Sequence, residues 1–185
     1  MIMKKFTLLL AAIGMSTMLM AQKPSTETSN YSLEGNINID ATNGVSWTAP
    51  SIRMRYFVND TWAARVTLGL SSASTDDGAG NETSASTLGV GLGAEYHTAG
   101  TDRLSPFFSA GISFGSSKVE AGGVETTGSN FGFALGGGMD YYVYENVYMG
   151  LELGLGWQTT SSGDASTSGL NTAAFNNAFR IGWRF

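Results

Sequence analysis

Residues 147–157 read VYMGLELGLGW, and Val147, Met149, Leu151, Leu153, Leu155 and Trp157 alternate without a break with Tyr148, Gly150, Glu152, Gly154 and Gly156. Successive side chains of a strand leave on opposite faces, so a period of two over such a run predicts a strand with one apolar face. A helix would set its apolar residues three and four apart. The opposite face is mostly glycine with one carboxylate, Glu152, which is too little charge to solvate a protein exterior. The apolar face therefore reads as the outside and the glycine face as the inside.

The same period continues in both directions. Toward the C-terminus, Phe175, Phe179, Ile181, Trp183 and Phe185 oppose Ala178, Arg180, Gly182 and Arg184. Toward the N-terminus, Phe131, Phe133, Leu135, Met139 and Tyr141 form one face, and Phe108, Ala110, Ile112 and Phe114 another. Leu88, Val90, Leu92, Ala94 and Tyr96 alternate with Gly89, Gly91, Gly93, Glu95 and His97. Trp62, Ala64, Val66, Leu68 and Leu70 oppose Ala63, Arg65 and Thr67, and Ile52, Met54, Tyr56 and Val58 oppose Arg53, Arg55 and Phe57. Tyr31, Leu33, Ile37 and Ile39, set against Glu34, Asn36 and Asn38, complete a set of eight strands.

Connections alternate in length. Asn59-Asp60 is the plainest of the short ones, whereas those around Asn43-Gly44, Ser71 to Ser84, Lys118 to Ser129 and Thr159 to Thr172 are rich in Ser, Thr, Gly and Asp. Their composition predicts long, solvated, mobile loops, all at one end. An even number of amphipathic strands with this alternation predicts an all-β fold, an eight-stranded antiparallel up-and-down transmembrane β-barrel. Roughly ten residues at ~3.3 Å each, tilted ~40°, span the ~25 Å apolar band, and closure satisfies every backbone hydrogen bond in lipid. Aromatic residues fall at both ends and predict two interfacial girdles. Tyr31, Tyr56, Trp62, Tyr96, Phe108, Tyr141, Tyr142, Tyr144, Tyr148, Trp183 and Phe185 lie near the short turns; Trp47, Phe114, Phe131, Trp157 and Phe175 lie near the long connections. A soluble barrel with inward apolar faces is the alternative, and it would have to solvate its exterior with the sparse charges of the glycine face.

Lys4 and Lys5 precede an apolar stretch from Phe6 to Met20, followed by Ala21 and polar Gln22. This is too short for a spanning helix and predicts a cleaved signal peptide, residues 1–21. A short polar segment, 22–29, and a barrel over 30–185 complete the domain plan. The chain has no cysteine, hence no disulfide and no lipid-modified residue after the signal. Ten basic against fifteen acidic residues become eight against fifteen after cleavage. No basic face remains for nucleic acid, whose phosphates need clustered Lys and Arg.

The terminal aromatics Phe179, Trp183 and Phe185 at alternating positions, with glycine-rich strands such as Leu88 to Glu95, make the chain resemble the small eight-stranded outer-membrane barrels of Gram-negative bacteria. That family includes the membrane domain of outer membrane protein A and outer membrane protein X. The resemblance covers nearly the whole mature chain. It implies residence in the outer membrane, contact with its lipid, and insertion by the outer-membrane assembly machinery, which reads Phe179, Trp183 and Phe185.

Candidate site residues follow from inward parity. Glu34, Arg55, Arg65, Glu95, Glu152 and Arg180 face an interior just wide enough for side chains, where charges must pair. Glu34 is expected to meet Arg55 and Arg180, and Arg65 to meet Glu95. Inward glycines, among them Gly89, Gly91, Gly154 and Gly156, predict a hydrated vestibule beyond that plug. The lone histidine, His97, sits at the short-turn end, which argues against catalysis. Asp76, Asp77, Asn81 and Glu82 lack the ligand spacing of a calcium loop, so no metal or cofactor is expected. The expected function is that of a monomeric, non-enzymatic barrel with a structural or surface-interaction role; a narrow pore for ions or small solutes is the alternative.

Overall fold

A computed structural model describes residues 23–40, 44–76, 78, 82–171 and 179–185, with 36–40, 44–51 and 171 described by backbone alone. Among these residues nine strands follow in chain order: β1 (Tyr31–Asp40), β2 (Gly44–Phe57), β3 (Trp62–Asp76), β4 (Glu82–His97), β5 (Leu104–Ala121), β6 (Val124–Tyr144), β7 (Val147–Ser162), β8 (Ala165–Asn171) and β9 (Phe179–Arg184). Each strand from β1 to β7 pairs antiparallel with the next. The edge of β7 is shared: Gly156–Ser162 pair with β8 and Val147–Leu151 with β9. β8 and β9 are therefore two pieces of one barrel strand, and β9 closes the ring on β1 from Ser32↔Arg184 to Ile37↔Phe179. The result is an eight-stranded closed barrel.

Side-chain alternation follows the sequence. On β9, Phe179, Ile181 and Trp183 point outward while Arg180, Gly182 and Arg184 are buried. The large apolar residues of the exterior, such as Ile52, Leu92, Phe133 and Leu153, are exposed as a lipid-facing surface requires. Trp47 and Phe175 of the expected girdle fall outside the described side chains, as do the signal peptide and its cut after Ala21. Tyr142 and Tyr148 correct that girdle: they share the parity of Asp140 and Glu152, and both rings lie in the lumen, 1% and 0% exposed.

The expected mobile loops are a second correction. β3 and β4 stay paired to Asp76↔Glu82, β5 and β6 to Ala121↔Val124, and β7 and β8 to Ser162↔Ala165. These stretches lie beyond the apolar band, so both faces are wet and the hydrophobic period that marks a strand disappears, while the ladder of hydrogen bonds continues. Tight turns close two of the hairpins. Gly122 and Gly123 have φ of 57° and 79°, the two positive values of a type I′ turn, and Gly163, at 56°, opens a type II′ turn with Asp164.

At the other end the turns are short, and the chain before β1 packs beneath the barrel. Lys23 N–H donates to the Asp102 carbonyl (2.6 Å) and Phe57 N–H to that of Asn30 (2.7 Å). Thr26 N–H donates to Asp60 Oδ1 (2.8 Å), and Arg184 Nε to the Ser29 carbonyl (2.8 Å). Cross-strand glycines make room for the aromatics here: the Tyr148 ring lies on Gly182, opposite it on β9.

Candidate functional site

Inward parity brings charges from seven of the nine strands to one depth. Glu34 comes from β1, Arg53 and Arg55 from β2, Arg65 from β3, Glu95 from β4, Asp140 from β6, Glu152 from β7 and Arg180 from β9. Arg55 donates through Nη1 to Glu95 (2.7 Å) and Asp140 (2.8 Å), and its Nε lies 2.8 Å from Glu34 Oε1. Arg180 donates to Asp140 (2.8 Å) and Glu152 (2.8 Å), with its Nε 3.4 Å from Glu34. Arg65 reaches both Glu95 (3.1 Å) and Glu152 (2.8 Å). Arg53 Nη1 binds Glu152 at 3.0 Å and lies 3.6 Å from Glu34.

Three guanidinium groups thus converge on Glu152, which also accepts the Ser109 hydroxyl at 2.7 Å. Arg55, Arg180, Glu34 and Glu95 have fully buried side chains, so the energy rests on mutual pairing: removing one member leaves a desolvated charge. Aromatic faces complete the packing, with the Arg55 guanidinium 4.9 Å from the Tyr148 centroid and that of Arg180 4.7 Å from Phe107. Tyr148 also donates its hydroxyl to Glu34 at 2.7 Å.

The six lumen residues named from parity all sit in this network. Arg53, Asp140, Ser109 and the Tyr148 hydroxyl belong to it as well. Their parity was visible in the sequence, but their depth depends on strand register. Phe179, Trp183 and Phe185 face outward, the last two with ring centroids 5.0 Å apart.

His97 is buried at the short-turn end between the Phe57 and Phe107 rings, each 5.4 Å away. Its Nδ1 lies 2.9 Å from Ser105 Oγ and its Nε2 3.2 Å from Glu95 Oε2. A serine, a histidine and an acid in line have the composition of a hydrolytic triad, but Ser105 is 3% exposed and Glu95 is held by two arginines. An attacking hydroxyl needs a carbonyl within about 3 Å, and this one faces packed side chains. Near the hairpin tips, Asp76 accepts Gly78 N–H and Glu82 accepts the Ser74 hydroxyl, so these carboxylates bind the hairpin itself.

On the hairpin side of the network the inward residues shrink. A cavity of about 330 Å³ opens there, floored by Arg53 and Arg65 and walled by β3 to β7. At Gly69 a methyl group would find no atom within 4 Å, and at Gly89 only backbone oxygens at 4.0 Å.

A family model described as outer membrane protein beta-barrel domain matches residues 7–185. No curated protein matches the chain. Among solved structures it is similar to Ail, the attachment invasion locus protein of Yersinia pestis, with 15% identity, a TM-score of 0.43, and coverage of 85% of this chain and 97% of that one. It is likewise similar to the N-terminal β-barrel domain of Pseudomonas aeruginosa OprF, with 16% identity, a TM-score of 0.45, and coverage of 85% and 98%. The chain belongs to the outer membrane protein β-barrel domain family, and its place is the outer membrane of a Gram-negative bacterium.

Proposed function

We propose that this protein is a monomeric, non-conducting barrel that displays a crown of ordered hairpins at the cell surface. The observation that carries this reading is the unbroken pairing of β5 with β6 as far as Ala121↔Val124. Beyond Phe114, the last aromatic of β5, seven more residues of that strand extend the sheet by ~23 Å, well clear of lipid. The crown is polar and acidic: Asp76, Glu82, Glu120, Glu125 and Asp164 stand against Lys118, which pairs with Glu125 at 2.7 Å. A rigid, hydroxyl-rich surface of this kind suits contact with other macromolecules, because little ordering entropy is lost when it binds.

The hairpins face outward and both termini lie on the periplasmic side. Phe179, Trp183 and Phe185 offer the assembly machinery a lipid-side row of aromatics. Catalysis has no place here, since the histidine line is sealed. The pore reading is disfavoured by the buried charge network, which fills the lumen with paired side chains.

Two measurements decide. In planar bilayers the full chain is expected to give no unitary conductance steps, and steady steps would favour the pore. By hydrogen exchange, the amides of Lys118, Val119, Thr126 and Thr127 are expected to be protected; exchange at the rate of an unstructured peptide would remove the ordered crown and the display role with it.

A further inference from the structure

We propose that the cavity above Arg53 and Arg65 binds a small oxyanion, the phosphate or carboxylate group of a solute entering from the hairpin end. The site is separate from the display surface and does not depend on that role. Within the charge network, exposure is confined largely to cations. The side chains of Arg65 and Arg53 are 12% and 8% exposed, whereas Glu34 and Glu95 are at 0% and Glu152 at 4%. A solute in the cavity therefore meets two guanidinium groups first, with their shared carboxylate tucked behind them. Guanidinium forks bind oxyanions through paired, charge-assisted N–H donors, which favours an oxyanion over a neutral solute.

The walls add matching chemistry. Hydroxyls of Thr67 and Ser113 and amides of Asn130 and Gln158 line the same space. At about 330 Å³ the cavity has the volume of roughly ten waters, enough for a phosphate with part of its hydration shell. Glycine accounts for the room: at Gly69 there is open space where a side chain would stand. The acidic crown does not cancel the attraction. Asp76 lies seven residues beyond Gly69 on β3, or ~23 Å, well over twice the ~8 Å screening length at physiological salt.

The test uses the full chain, refolded in a maltoside detergent without phosphate or chloride and titrated with inorganic phosphate by calorimetry. Saturable binding with a dissociation constant on the order of 1 mM is expected, with acetate competing. Arg65→Gln removes one fork, and Gly69→Leu fills the space with every charge retained; each should weaken binding by ~10-fold or more. Mobility on unboiled gels checks that both variants fold. The absence of saturable heat up to ~20 mM phosphate overturns the proposal, as does parent-like binding by either folded variant.

Discussion

Glu34 shows how one buried carboxylate ties the ends of the chain together. It lies on the first barrel strand, and Arg55 Nε (2.8 Å), Arg180 Nε (3.4 Å) and the Tyr148 hydroxyl (2.7 Å) reach it from three others. Replacing it with alanine strands guanidinium charge in the lumen, a change that typically costs ~3–5 kcal/mol. Glu34→Ala is expected to lower the unfolding free energy in detergent by ~3 kcal/mol or more. Arg180 also binds Asp140 and Glu152, so its coupling to Glu34 is only part of its energy. In a double-mutant cycle, Glu34→Ala with Arg180→Ala should fall short of the summed single effects by ~1 kcal/mol, and strict additivity would show the two to be energetically independent. The inward parity of both residues was legible in the sequence. That three arginines share Glu152 was not, because neighbours in a barrel are set by register and depth as well as by face.

Among the elements, the segment before β1 behaves as a strap across the short-turn end. Its hold on the β2–β3 turn passes through Asp60, whose carboxyl is kept below its ordinary value near 3.8 chiefly by the Thr26 N–H it accepts. A lowered folded-state value means that the carboxylate's contribution is complete above pH ~4 and is lost as pH falls through the lowered value. Amide exchange at Thr26, corrected for intrinsic rates, should therefore be slow at pH 7 and accelerate toward pH 2, while Asp60→Ala should be fast at both. Equal protection in parent and variant would mean that the remaining backbone contacts alone hold the strap. Sequence reading marked residues 22–29 only as polar, since docking by backbone groups leaves no trace in side-chain pattern. It also read the hairpin arms as loops. There the Gly122-Gly123 and Gly163-Asp164 turns were the available signal, and the missing apolar face concealed it.

For the molecule as a whole, the question is whether the two ends communicate. The vestibule reaches down to Arg53 and Arg65, and below it the network and the rings of Phe57, Phe107 and Tyr148 fill the bore. A cysteine at Gly91, whose nearest neighbour is the Thr67 Cβ at 3.4 Å, should react with a membrane-impermeant thiol reagent applied to whole cells. A cysteine at Ser105, 3% exposed on the far side of the network, should stay protected from that reagent. Comparable labelling at both positions would reveal a continuous channel, and no labelling at Gly91 would mean a filled vestibule or the opposite orientation.

The sequence by itself determined the class, the outward face of each strand and the identity of the lumen charges. These depend on a period of two, which backbone stereochemistry imposes on any strand whatever surrounds it. Only the tertiary structure decided which charges meet, where the lumen is hollow, and how far the strands continue past the lipid. Those properties arise from register between strands distant in sequence, and from a hydrogen-bond ladder that persists where both faces are wet and the hydrophobic pattern has ended.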